Sequence, residues 1–233
     1  MVTKEQFAAM QDHSILGAYC EEKDVVQYCK EALEYGFANV YVMPCFIKLA
    51  RSIIPMGSKT GVGSTVAFPW GATTTEMKIA EGLDFIDKGA TSLDMVINVS
   101  MLKNGHADYV RNELDGFVKA IRAKKAEVTI KIIVECHYLT REEKFLAANL
   151  VAESGADFVK QATGTTPNWS YTLGDLILLK SAVGDRCGVK ASGGLINVED
   201  ALAAIEVCGA TSIGNKRAVQ WMKDFDDNRW YKK

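Results

Sequence analysis

Short apolar runs alternate with amphipathic segments from one end of the chain to the other. The apolar runs predict strands at Asn39–Met43, Ser64–Phe68, Ser92–Asn98, Thr129–Glu135, Asp157–Lys160, Cys187–Lys190 and Thr211–Gly214. An eighth is expected at Asp12–Ile15. Helical spacing marks Val25–Tyr35, Glu76–Lys88, Ala107–Lys124, Glu142–Ser154, Leu173–Val183 and Val198–Val207. Gly36, Gly89, Gly155 and Gly209 each close a helical pattern just before an apolar run, as left-handed helix caps do. Eight strands, each followed by a helix, predict a (β/α)8 barrel of the TIM type. A doubly wound open sheet is the runner-up, but no GxGxxG follows the first strands. The 233 residues show no linker or break in composition, so one domain over 1–233 is expected. A short polar tail begins at about residue 224 and carries Trp230 and Tyr231.

Alternation within the strands says which side chains face inward. In Leu93–Asn98, one face carries Asp94, Val96 and Asn98, and the other Leu93, Met95 and Ile97. In Thr129–Glu135, Thr129, Lys131, Ile133 and Glu135 share a face opposite Ile130, Ile132 and Val134. Lys160 shares a face with Phe158, and Lys190 with Gly188. If the apolar faces pack under helices, then Asp94, Asn98, Lys131, Glu135, Lys160 and Lys190 point into the barrel. A lone ammonium there costs on the order of several kcal/mol. Lys131 and Glu135 read equally well as structure or site support and as chemistry. Lys160 and Lys190 end their apolar runs, at the barrel edge where active sites are built, and chemistry is the better reading for them.

Composition narrows the classes of function. Net charge is −2, which leaves no footprint for nucleic acid or an anionic membrane. No apolar stretch approaches the roughly 18 residues of a membrane span. Met1–Phe7 lacks the apolar core of a signal peptide, and the six cysteines are scattered without a CxxC, so reduced thiols in the cytoplasm are expected. Cys136-His137 places a thiol and an imidazole on adjacent residues, which point to opposite faces of a strand. No metal site is expected there.

Two neighbouring lysines suggest imine chemistry. A lysine must be neutral to attack a carbonyl, and at a reference pKa of about 10.4 well under 0.1% is neutral at pH 7. Burial and a second ammonium both favour the neutral form. A carboxylate such as Asp94 can then move protons. Glycine-containing segments follow the last three strands: Ala162-Thr163-Gly164-Thr165-Thr166, Ser192-Gly193-Gly194-Leu195 and Gly214-Asn215-Lys216-Arg217. Gly164, Gly193, Gly194, Asn215, Lys216 and Arg217 are therefore candidate phosphate ligands, against the plainer reading of ordinary turns.

These residues resemble those of the deoxyribose-phosphate aldolase family, class I aldolases of (β/α)8 fold. Asp12-His13-Ser14-Ile15-Leu16 is similar to the family's opening Asp-His-Thr-Leu-Leu, and Val66-Ala67-Phe68-Pro69-Trp70-Gly71 to its Val-Gly-Phe-Pro-x-Gly, followed by Lys78 and Glu81. Asp94-Met95-Val96-Ile97-Asn98, Lys131-Ile132-Ile133-Val134-Glu135, Phe158-Val159-Lys160 with Thr163-Gly164, and Val189-Lys190-Ala191-Ser192-Gly193-Gly194 resemble further family segments. The resemblance implies Lys160 as the Schiff-base lysine, Lys190 as its pKa tuner, and Asp94 with Asp12 as the proton relay. It also implies 2-deoxy-D-ribose 5-phosphate, acetaldehyde and glyceraldehyde 3-phosphate as small-molecule partners, with no metal or organic cofactor.

The sequence departs from the family at Gln161-Ala162 (usually Thr-Ser), Gly17 (commonly Lys), Ser92 (often acidic) and Asn215-Lys216-Arg217. Two alternatives follow: the same imine chemistry on another sugar phosphate or a non-phosphorylated aldol, and a phosphate-binding barrel without catalysis. Many barrels self-associate, which leaves a homo-oligomer open.

Overall fold

The computed structural model describes residues 1–166 and 172–225; the expected tail falls outside it except for Asp224 and Phe225. Eight parallel strands close into a barrel in sequence order: β1 (Gln11–Ile15), β2 (Asn39–Val42), β3 (Gly61–Val66), β4 (Ser92–Val96), β5 (Thr129–Ile133), β6 (Phe158–Lys160), β7 (Gly188–Ser192) and β8 (Ser212–Asn215). Closure comes from β8 pairing with β1, with Gln11 opposite Ile213 and His13 opposite Asn215.

The helices α1 (Lys4–Ala8), α2 (Glu22–Tyr35), α3 (Ile47–Ile53), α4 (Thr75–Asp87), α5 (Val99–Lys103), α6 (Ala107–Lys124), α7 (Arg141–Glu153), α8 (Leu173–Val183), α9 (Val198–Glu206) and α10 (Ala218–Asp224) surround the strands. Side-chain oxygens of Thr74, Thr140, Thr172 and Asn197 cap α4, α7, α8 and α9 by accepting backbone N–H groups left open in the first turn. The four expected glycine caps all take positive φ, from 70° at Gly36 to 103° at Gly89.

The apolar strand faces supply the outer core. Leu93, Met95 and Ile97, and Ile130, Ile132 and Val134, are fully buried among helix residues such as Val110, Leu114, Phe117 and Ile121 of α6. Each such side chain contributes about 1.5–3 kcal/mol on burial. Gly82 lets α4 approach α6, because a Cβ there would lie 2.9 Å from both Phe117 and Ile121.

Several strand limits differ from the sequence reading, each for a local reason. β3 begins at Gly61 and ends at Val66, because Ala67 turns to φ 54° and donates its N–H to Glu81 Oε2. β4 ends at Val96, which leaves Asn98 as the cap of α5. β5 ends at Ile133, and Glu135 lies beyond it at φ 54°. β7 continues to Ser192, so Lys190 is at mid-strand and not at its end.

A buried ion pair braces the end of β4 from outside the barrel. Lys78 Nζ lies 2.7 Å from Glu113 Oε1 and donates to the Val96 carbonyl at 2.8 Å. Glu113 Oε2 accepts the Asn98 N–H at 2.9 Å.

Candidate active site

Register places the charged side chains. Lys160 stands beside Lys190, Lys190 beside Ser212, and Asp94 beside Lys131. Lys160, Lys190, Asp94 and Lys131, joined by Asp12 of β1, form a chain of alternating sign across the barrel. Lys160 Nζ and Lys190 Nζ each donate to Asp94 Oδ2 at 2.7 Å. Lys190 Nζ also lies 2.6 Å from Asp12 Oδ2, which accepts from Lys131 Nζ at 2.5 Å. The order is Lys160, Asp94, Lys190, Asp12, Lys131. Asn39 Nδ2 donates to Asp12 Oδ1 at 2.7 Å, and Ser212 Oγ to Asp12 Oδ2 at 3.2 Å. Tyr41 donates its hydroxyl to Asp94 Oδ1 at 2.6 Å. Every charge of this chain therefore meets an opposite charge, as a low-dielectric interior requires.

Position in the chain decides the protonation state of each amine. Burial, as the largest influence, pushes Lys160 down; Asp94 opposes it and Lys190 adds to it, and the amine settles from an ordinary 10.5 to about 8. Burial also works against the Lys190 ammonium, but Asp12 and Asp94 on either side outweigh it and raise its pKa. Burial lowers Lys131 as well, with Asp12 opposing. Burial works to raise both carboxyls, yet the ammoniums hold Asp94 and Asp12 below the usual range. Three ammoniums face two carboxylates, so the chain becomes neutral overall when Lys160 loses its proton.

A cleft of about 740 Å³ opens at the C-terminal end of the strands. It is lined by Ser14, Phe68, Lys160, Thr163 and Ser192, by Gly164, Gly193 and Gly194, and by Asn215, Lys216 and Arg217, with residues of the β1–α2 loop along one side. Lys160, 4% exposed, is the one amine of the three on its wall; Lys190 is sealed at 0%. At a pKa of about 8, roughly a tenth of Lys160 is neutral at pH 7, several hundredfold more than for a free lysine. The site can thus present an unprotonated amine to a carbonyl compound.

The remaining expected site residues divide between the cleft and its supports. Asn98 stands apart from the charge chain: its side chain accepts the Met101 N–H as the cap of α5. Glu135 Oε2 accepts the Thr163 N–H and so ties down the loop after β6. Asn215 is engaged on both sides, donating to Gln11 Oε1 at 2.7 Å and accepting the Arg217 N–H at 2.7 Å, which makes it a loop former. Arg217 donates to the Ile196 carbonyl, while Lys216 and Arg217 are both exposed.

Tyr41, Asn39 and Ser212 join the charge chain without having been singled out in the sequence, and Ser92, marked there only as a departure from the family, joins it through Tyr41. Parity along Asn39–Val42, which separates Asn39 and Tyr41 from Val40 and Val42, was the available signal for two of them. Among the described residues no group of three His, Cys, Asp or Glu is arranged to hold a metal ion.

A closed (β/α)8 barrel with an amine on the wall of its C-terminal cleft defines the class: an amine-bearing barrel of the kind that aldolases use. Comparison with known proteins supplies the family. The DeoC/LacD family aldolase profile matches residues 6–215. A deoxyribose-phosphate aldolase from a Thermoanaerobacter species is 43% identical over 94% of this chain and 96% of its own length. One from Thermococcus gammatolerans is 42% identical over 90% and 92%. The solved deoxyribose phosphate aldolase of Aeropyrum pernix, described as tetrameric, superimposes with TM-score 0.85 at 28% identity, covering 97% of this chain and 93% of that one. The chain belongs to the DeoC/LacD family of aldolases.

Proposed function

We propose that this chain is a class I aldolase that cleaves 2-deoxy-D-ribose 5-phosphate reversibly to acetaldehyde and D-glyceraldehyde 3-phosphate. The observation that carries this reading is Lys160: the single amine of the charge chain on the cleft wall, with its pKa drawn down to about 8. Relatives named deoxyribose-phosphate aldolase support the substrate.

Neutral Lys160 adds to the C1 aldehyde of the open-chain sugar, and loss of water leaves a protonated imine. A base removes the C3 hydroxyl proton, the C2–C3 bond breaks, and its electron pair moves into the imine to give an enamine. Glyceraldehyde 3-phosphate departs. The enamine takes a proton at C2, and water then releases acetaldehyde and restores the amine. Asp94 passes these protons, directly or through water, while the Lys190 ammonium hydrogen-bonded to it stays charged. Asp12 and Lys131 hold Lys190 and the carboxylates in place. The phosphate sits against the N–H groups of Gly164, Gly193 and Gly194, with Lys216 and Arg217 supplying positive charge at the rim.

Self-association fits the tetramer described for the Aeropyrum pernix relative, and six unpaired cysteines fit the reducing cytoplasm.

The test is borohydride reduction in the presence of acetaldehyde, followed by peptide mass spectrometry. A reduced adduct on Lys160 and loss of nearly all cleavage in Lys160→Ala are expected; an adduct on another lysine overturns the assignment. Comparable rates on deoxyribose and its 5-phosphate would move the substrate to a non-phosphorylated aldol.

A further inference from the structure

Tyr41 is fully buried at the centre of the barrel, and its hydroxyl has two partners. One is Asp94 Oδ1 and the other Ser92 Oγ, both at 2.6 Å. An ionised carboxylate only accepts, and a phenol has one hydrogen. The direction is therefore fixed: Ser92 donates to Tyr41, and Tyr41 donates to Asp94. The ring lies under two ammoniums, with Lys190 Nζ at 4.1 Å and Lys131 Nζ at 5.5 Å from its centroid. Room for it comes from β3, where a Cβ on Gly63 would lie 2.5 Å from Tyr41 Cζ.

We infer that Tyr41 is a positioning residue: it commits one oxygen of Asp94 to a neutral donor, so that the other oxygen alone is shared by Lys160 and Lys190. This rests on the reading of Lys160 as the imine-forming amine.

The geometry has a directional consequence. A neutral donor on Oδ1 draws off part of the carboxylate's charge and fixes its plane. Without that donor, Oδ1 is a buried acceptor with no partner, and Asp94 pulls harder on the ammonium form of Lys160. Burial, with Asp94 and Asp12 adding to it, raises the Tyr41 pKa well above its usual value, so it serves as donor throughout the working range. The titratable groups around Lys160 are Asp12 from β1, Tyr41 from β2, Asp94 from β4, Lys131 from β5 and Lys190 from β7. β3 and β8 contribute none. Tyr41 is the one member of this set that can be made non-ionisable without removing a charge.

Tyr41→Phe keeps the ring and deletes the hydroxyl. The measurements are cleavage rate and borohydride trapping by acetaldehyde across pH, with thermal unfolding as a check on the fold. Expected are a rise of about one pH unit in the limb assigned to Lys160, a fall of about tenfold in kcat at pH 7, and little change in KM. Ser92→Ala should move the limb the same way by less, and should add nothing in the Tyr41→Phe background, because Ser92 reaches Asp94 only through Tyr41. A Tyr41→Phe profile that overlays the wild type, with Lys160 still labelled, overturns this inference alone. Ser92 and Tyr41 shifts that sum in full also overturn it. If Tyr41→Phe does not fold, the Ser92→Ala profile decides by the same criterion. Wild-type protein that takes no label at Lys160 overturns both this inference and the reading beneath it.

Discussion

Lys160 is hydrogen-bonded to one carboxylate oxygen at the cleft wall, whereas Lys190 lies between two carboxylates with no exposed surface. In the proposed mechanism the same side chain is thus an attacking amine in one place and a fixed positive charge in the other. Substituting Lys190 separates their contributions. In Lys190→Leu, Lys160 loses a repulsive neighbour and gains undivided access to Asp94 Oδ2. Both changes favour its ammonium form, so the pH–activity profile should move to higher pH. Burial, the largest influence on Lys160, remains, so the amine should stay below an ordinary lysine. Activity at neutral pH should fall about 100-fold or more, because the ammonium that orients Asp94 is lost as well. Rates measured from pH 6 to 10 check the direction, and an unmoved profile would remove Lys190 from the tuning of Lys160. The sequence made the two lysines visible as intrusions in apolar runs. It could not rank burial above the neighbouring charge, since that ranking depends on distances across the barrel.

At the scale of the element, β4 shows what alternation reveals and what it hides. Inward Asp94 and outward Leu93, Met95 and Ile97 follow from residue order alone. Asn98 continues the inward pattern on paper, yet the strand ends at Val96 and its side chain turns to cap α5. The missed helices α1, α3, α5 and α10 span five to seven residues each, too few to show a helical period. The Lys78–Glu113 pair was hidden for another reason, because it joins α4 to α6 and to the end of β4 through contacts distant in sequence. It anchors the segment just beyond Asp94. Lys78→Met should destabilise the protein by about 3–5 kcal/mol near neutral pH, since Glu113 is left buried without a counter-charge. Burial already raises the Glu113 pKa with Lys78 opposing, and removing Lys78 raises it further. Glu113 is then neutral in the folded protein over a wider range, so the deficit should be smaller at pH 5 than at pH 8. Denaturant melts at the two pH values test this; an equal deficit at both would mean that lost packing, and not the stranded charge, is responsible.

For the molecule as a whole, the barrel was legible because its period repeats from β1 to β8 and each turn of the pattern ends at a strand. The pairing of charges was not, because closure brings Asp12 of β1 against Lys131 of β5 and Lys190 of β7. Closure also sets the cost of the site. Lys160 has a folded pKa of about 8 against an ordinary 10.5. The unfolded chain therefore binds a proton more readily than the native state between those values, and stability from this residue rises with pH across that window. Below pH 8 the folded protein carries an ammonium it disfavours by about 3 kcal/mol. Lys160→Met removes that charge while Asp94 keeps Lys190 and Tyr41 as partners. The variant should be inactive, yet more stable than the wild type by about 1–3 kcal/mol at pH 7, with the gap closing as pH rises from 8 to 10.5. Lysines outside the charge chain are common to both proteins, so the difference between their denaturation curves reports position 160 together with its coupling to Lys190 through Asp94. A variant less stable than the wild type at pH 7, or a gap independent of pH, would show that the Asp94 contact holds the protonated amine more firmly than burial disfavours it.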